Sequence, residues 1–278
     1  VMMRVEAAGA FAGQHILITG ATGGVGSIIA SRLAKENCRI SAVGRRQDRL
    51  DDLAEWIEDL GGECCKIHTD LRQPESTAEV VNKAFECFGP IDTAIFGATH
   101  FAISPFDDME PEEIEDIVQV NLLSPTNMIR ALLPDMLNRG FGRISVLASV
   151  AGIFPLPYMA VYDATKAGMI NFSRALATEL AGSGISVTCI SPRAVDTVIM
   201  NRIKELTETL GWVIDSPESV AEEILRATAL GKTHVTIGSM EKIIPIVGSL
   251  FPEFIRRVLD ITRREMAHFF EREENERL

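Results

Sequence analysis

Basic side chains are in short supply in this sequence. Against 39 Asp and Glu there are 27 Lys and Arg, a formal net charge of −12. No broad cationic face is available to neutralise a phosphate backbone, which excludes a nucleic-acid partner. Long apolar runs are lacking too. The most apolar late stretch, residues 243–251, is too short to span a bilayer and contains Pro245, so no integral membrane segment is expected. The N-terminal residues lack the basic start and apolar run of a secretory signal. With the acidic balance, this points to a cytoplasmic protein. Five cysteines, Cys38, Cys64, Cys65, Cys87 and Cys189, show no Cys-x-x-Cys spacing. An odd count in that pattern argues against a disulfide framework or a metal site, and buried free thiols are expected. Tyrosine is scarce as well. One of only two, Tyr162, stands four residues before Lys166, a spacing that sets both side chains on one helix face.

What the chain does have is a regular alternation. Apolar, β-rich runs at 15–20, 39–44, 63–70, 91–97, 142–149, 184–191 and 233–238 alternate with amphipathic helical patterns at 23–37, 46–62, 74–89, about 111–139, 160–181 and from Ser216–Pro217 onward. Continuous apolar strands between helices predict an α/β fold. The sheet should be parallel and doubly wound, Rossmann-type, with helices on both faces. Residues 1–240 read as one nucleotide-binding and catalytic domain, and 241–278 as a helical extension of it.

The first strand runs straight into Thr19-Gly20-Ala21-Thr22-Gly23-Gly24-Val25-Gly26 and then a helix. Gly20, Gly24 and Gly26 let the backbone turn tightly and approach a pyrophosphate, and the helix N-terminus offers free N–H groups and a positive dipole end. The spacing Thr-Gly-x-x-x-Gly-x-Gly resembles the short-chain dehydrogenase/reductase (SDR) superfamily, classical type. Four further positions follow that family's order: Asp70 after the third strand, Asn121, Ser149 thirteen residues before Tyr162, and Tyr162-x-x-x-Lys166. The resemblance covers residues 14–197.

Reducing a carbonyl adds hydride to carbon and leaves charge on oxygen, which needs a proton donor. A cation about 4 Å from a phenol contributes about 4 kcal/mol at an effective dielectric of ~20. That would carry its pKa from about 10 towards neutrality, where acid–base catalysis works best. The resemblance implies Tyr162 as general acid/base, with Lys166 lowering its pKa and holding the nicotinamide ribose. It implies Ser149 polarising the substrate oxygen and Asn121 holding a water on the proton path. It also implies cofactor contacts from Thr19, Gly20, Thr22, Gly24, Val25, Gly26, Asp70, Leu71, Ala98, Pro192, Val195 and Thr197, and pairing as a homodimer or homotetramer through the helices around 122–139 and 160–181.

Arg45 and Arg46 stand where NAD-specific sites place an acid, so NADP(H) is favoured over NAD(H). Asp48 is the alternative acid if the turn is shifted. The expected activity is NADPH-dependent reduction of a ketone or aldehyde on a small or lipid-like substrate. The rivals are an NAD-linked secondary alcohol dehydrogenase and a low-activity nucleotide-binding scaffold. Two departures from the family motivate the scaffold. Phe96-Gly97-Ala98-Thr99 replaces Asn-Asn-Ala-Gly, and Arg193 replaces a glycine, where it could narrow the site, meet an acidic substrate or point to solvent. Phe154, Leu156, Tyr158, Ile199, Met200 and Trp212 are candidate pocket walls. The tail carries an apolar stripe of Phe254, Ile255, Val258, Leu259, Ile261 and Met266. Three readings of it stay open: packing on the domain or a partner, shielding the substrate cleft, or lying on a membrane surface.

Overall fold

The computed structural model describes residues 9–198, 200, 204–238 and 252–277. The expected domain boundary at 240–241, the wall role of Ile199, and the side chains of Phe254, Ile255 and Val258 lie outside the described residues. Seven strands form one parallel sheet: β1 (His15–Thr19), β2 (Arg39–Gly44), β3 (Glu63–His68), β4 (Thr93–Phe96), β5 (Gly142–Leu147), β6 (Ile185–Ser191) and β7 (His234–Thr236). Their order is β3-β2-β1-β4-β5-β6-β7. The chain leaves β1 in one direction and returns beside it with β4, so the order reverses between these two strands, where α/β sheets bind ligands.

Alternation along each strand divides the core in two. Leu17, Val43 and Ile67 point to one face, where they pack with Val80, Met128 and Met169. These come from α3 (Ser76–Phe88), α5 (Ser124–Arg139) and α6 (Ala160–Glu179). Ile16, Ile18 and Ile40 point to the other face, against Ile29, Leu50 and Ile224. Those belong to α1 (Gly24–Ala34), α2 (Gln47–Asp59) and α8 (Pro217–Ala229). The Ser216 side chain caps α8 by accepting from Ser219 N–H at 3.2 Å, with Pro217 in the first turn. α7 (Lys204–Thr209) and α9 (Pro252–Arg277) complete the set.

Three expectations are corrected. Residues 111–139 are not one helix: α4 (Pro111–Val118) leads into a wide π turn at Gln119–Leu123 before α5 begins. The extra residue in that turn brings Asn121 inside, where it is 3% exposed. Cys65 and Cys87 are joined by a disulfide, so they are not free thiols; Cys38, Cys64 and Cys189 are free. Packing of α3 on β3 makes that pairing, which no local spacing announced. In the tail, Ile261 is exposed, whereas Met266 and Phe269 are buried. The face bearing Met266 and Phe269 is turned to the protein and unavailable to a bilayer. Among the described residues, no helix is long and apolar enough to cross a membrane.

The start of α6 holds a buried acid. Asp163 Oδ2 accepts from Leu156 N–H at 2.6 Å and so pins the preceding loop, while Oδ1 has no partner. Burial pushes its carboxyl from 3.8 to about 7. A raised folded-state pKa contributes stability that is present below the unfolded value and lost as pH climbs through about 7. Asp163→Asn should therefore stabilise the fold by about 2 kcal/mol at pH 8 and far less at pH 4.5. Thermal unfolding at both pH values checks this, and equal gains at the two would refute it.

Candidate active site

The site collects at the carboxyl ends of the strands. After β1 the backbone turns at Gly20 with φ +69°. A Cβ there would lie 2.8 Å from Ala98 N, and one on Gly26 would lie 2.2 Å from Gly20 O. The first turn therefore closes against the end of β4 only with glycine at both positions. Ala98 N–H donates to Thr19 Oγ1 at 3.2 Å, tying the two strand ends together. A Cβ on Gly24 would meet Thr197 Cγ2 at 2.9 Å, so the segment after β6 folds over the glycine turn. Thr22 stands beside Gly44 at the end of β2, within 3.2 Å of where a Cβ would be. Helix α1 begins at Gly24 with no side-chain cap and no acid in its first turn. A glycine cradle opening onto an uncapped helix N-terminus suits a pyrophosphate, so these residues fit a dinucleotide.

Ser149 follows β5, and its Oγ accepts from Ala151 N–H at 3.1 Å. Tyr162 and Lys166 share a face of α6, with Lys166 Nζ 5.4 Å from the Tyr162 ring centroid. Nζ donates to Leu147 O at 3.0 Å. The phenol lies beside the hydroxyls of Ser149 and Thr99, which favour its ionised form. Thr99 Oγ1 donates to Asn121 Oδ1 at 3.2 Å. Asn121 is held by four partners. Its Oδ1 also accepts from His100 N–H at 2.7 Å, and its Nδ2 donates to His100 O at 2.8 Å and Thr165 Oγ1 at 3.3 Å.

Electrostatics here differ from the expectation that Lys166 draws the phenol towards neutrality. Burial pushes Tyr162 up to about 12, against the opposing pull of Ser149 and Thr99. Burial also brings Lys166 down to about 8. Both groups lose water, which disfavours the charged form of each. The phenol is thus kept protonated, as a donor.

The remaining candidates divide. Arg45 and Arg46 lie exposed after β2. Arg46 forms a two-point pair with Asp48, at 3.2 and 2.5 Å, which occupies the alternative acid. Arg45 makes no ion pair among the described residues. Asp70 is engaged by Arg72 at 2.6 Å, which also reaches Asp116 at 3.3 Å. Leu71 is buried. Pro192 O accepts from Val150 N–H at 3.0 Å, and Val195 bridges to Asp215. Arg193 neither points freely to solvent nor waits for an acidic substrate: it grips Asp215 at 2.9 and 2.8 Å. Of the expected walls, Leu156, Tyr158 and Met200 pack in one cluster with Tyr162, whereas Phe154 and Trp212 stand outside it. Thr99 was missed as a contributor. Its signal was present in the departure from the glycine the family places there.

Comparison with known proteins agrees with this geometry. A family profile described as short chain dehydrogenase matches residues 14–208. The ketoacyl reductase HetN of Nostoc sp. is 32% identical over 252 residues, covering 88% of each chain. L-sorbose reductase from Gluconobacter frateurii, solved with NADPH and L-sorbose, superposes with a TM-score of 0.75 at 28% identity, over 83% of this chain and 97% of that one. A variant of actinorhodin polyketide ketoreductase, solved with NADPH, gives 0.73 at 27% identity, over 81% and 95%. The profile match and the HetN relative, with a sheet of this order and its glycine cradle, make the chain a member of the short-chain dehydrogenase family and an NAD(P)-dependent oxidoreductase.

Proposed function

We propose that the protein reduces a ketone or aldehyde carbonyl with NADPH, with Tyr162 giving the proton to the carbonyl oxygen. The observation that carries this reading is Tyr162 sharing a face of α6 with Lys166, whose Nζ lies 5.4 Å from its ring centroid, with the Ser149 and Thr99 hydroxyls beside the phenol. A bound reduced nicotinamide supplies hydride to the carbonyl carbon. Ser149 and Tyr162 hydroxyls meet the oxygen as charge develops there, where fixed donors in a dry site act most strongly. Tyr162 releases its proton only to a base as strong as that forming alkoxide, which suits reduction better than alcohol oxidation. Lys166, one turn below, stabilises the phenolate left behind.

The preference for the phosphorylated cofactor rests on Arg45 and Arg46. Two guanidinium groups follow β2, and the one acid in that turn, Asp48, is already paired. A 2′-phosphate would gain a charge-assisted fork there, whereas a 2′-hydroxyl would find no free carboxylate. The ketoacyl, sorbose and polyketide reductases among its relatives support carbonyl reduction in the same way. Assembly as a dimer or tetramer through α5 and α6 belongs to the same reading, and Leu123 and Leu137 are exposed along that side.

Against a carbonyl panel, Tyr162→Phe should cut kcat/KM by about 10²- to 10⁴-fold while NADPH fluorescence titration still shows binding. A variant that keeps its rate would remove the proton donor. Thr99→Val should lower kcat by about tenfold with KM unchanged, the loss of one hydrogen bond to a group that becomes charged. The reductive rate should fall as pH rises through about 8, where Lys166 loses its proton; a profile flat to pH 10 would contradict its role. Arg45→Glu should weaken NADPH binding by about tenfold or more and leave NADH binding alone, and equal weakening of both would end the case for phosphate recognition.

A further inference from the structure

Helix α9 packs into the cluster that borders the Tyr162 ring. Its Met266 and Phe269 are buried in one apolar cluster with Ile103, Met159 and Leu206, and Tyr162, Tyr158 and Phe270 pack against that cluster. Phe101 meets the Tyr162 ring edge-on, with centroids 5.1 Å apart. Tyr158 and Phe270 meet at 5.0 Å. The reacting phenol is therefore walled by rings and thioethers, and part of that wall comes from a helix near the C-terminus.

A cleft of about 260 Å³ lies outside this cluster, lined by Ser104, Phe106, Met109, Pro157, Tyr158 and Arg263. Tyr158 lines the cleft on one side and packs in the cluster on the other, so with Phe270 it separates the opening from Tyr162. Its backbone is held at φ +64°, an uncommon conformation for a bulky residue, and its carbonyl accepts from Ser104 N–H at 3.0 Å. Phe106 at the mouth is 63% exposed. Arg263 at that rim is paired with Asp260 at 3.0 Å, so a ligand carboxylate would have to displace an acid already in place.

We infer that α9 is the outer wall of the carbonyl-binding site, that Phe270 with Tyr158 guards its opening, and that the wall selects an apolar, uncharged carbonyl compound over a polyhydroxylated one. The inference rests on Tyr162 being the reacting group. A carbonyl compound reaching Tyr162 from the cleft must pass Tyr158 and Phe270 and lie against Met266 and Phe269. Hydroxyl groups stripped of water there would find few partners. Methylene groups would gain from the same surface, by about fourfold in affinity for each one buried.

Binding decides this independently of turnover. Full-length protein loaded with NADP⁺ is titrated calorimetrically with 2-decanone and with dihydroxyacetone. The wild type should bind 2-decanone at least about tenfold more tightly. Phe270→Ala should weaken that binding by about tenfold, Phe270→Leu should restore part of it, and Ile261→Ser, on the exposed face of the same helix, should leave it unchanged. Should Phe270→Ala fail to fold, as read by thermal unfolding, Phe270→Leu must show the weakening. Absent 2-decanone binding, equal binding of the two ketones, indifference to Phe270, or an equal effect of Ile261→Ser would each overturn the inference. Phe270-dependent binding without any NADPH consumption would instead refute the proposed reaction and leave the wall in place.

Discussion

Taking a phenol and an ammonium out of water on one face of α6 is the constraint from which the rest of the site follows. Neither charge is cheap in such surroundings, and the shifts of Tyr162 to about 12 and Lys166 to about 8 express that cost. The protein answers with hydrogen bonds rather than with opposite charge. Leu147 O takes the ammonium, the Ser149 and Thr99 hydroxyls lie beside the phenol, and Asn121 accepts from Thr99. These partners arrive from the ends of β4 and β5 and from the turn between α4 and α5. The parallel sheet, with its switch between β1 and β4, is what brings those ends to one place.

The same sheet explains why glycine is unavoidable in the first turn. The turn after β1 must lie within van der Waals reach of the end of β4, and Gly20 and Gly26 fill spaces that a methyl group would overrun. That closeness brings the uncapped start of α1 to the edge of the site holding Tyr162. Nucleotide binding and proton transfer thus depend on a single packing decision. Thr197 then covers Gly24 from the far side of the sheet, and the Arg193–Asp215 pair holds the segment that carries it. The two departures from the family pattern, Thr99 and Arg193, both have structural work: one lies in the hydrogen-bond chain, the other in the frame around it.

Much of this was legible in the order of residues. Apolar strands alternating with amphipathic helices gave the sheet, because strand burial on both faces and helix burial on one leave a period in the sequence. The glycine spacing and the Tyr–Lys pair could be read because their chemistry is local: a turn needs glycines a few residues apart, and an i,i+4 pair shares a helix face. Contacts between distant segments left no such trace. The Cys65–Cys87 bond joins β3 to α3, and Arg72 meets Asp116 only because α4 packs nearby. The break at Asn121 interrupts what periodicity alone reads as a single helix.

Fold class, the glycine turn and the Tyr162–Lys166 spacing were determined by the sequence itself, since each depends on residues close together in the chain. Tertiary structure decided the direction in which Tyr162 titrates, the partnership of Thr99, the fate of Arg193 and the placing of α9 over the phenol. Burial and long-range packing set all four, and neither is a property of any short segment.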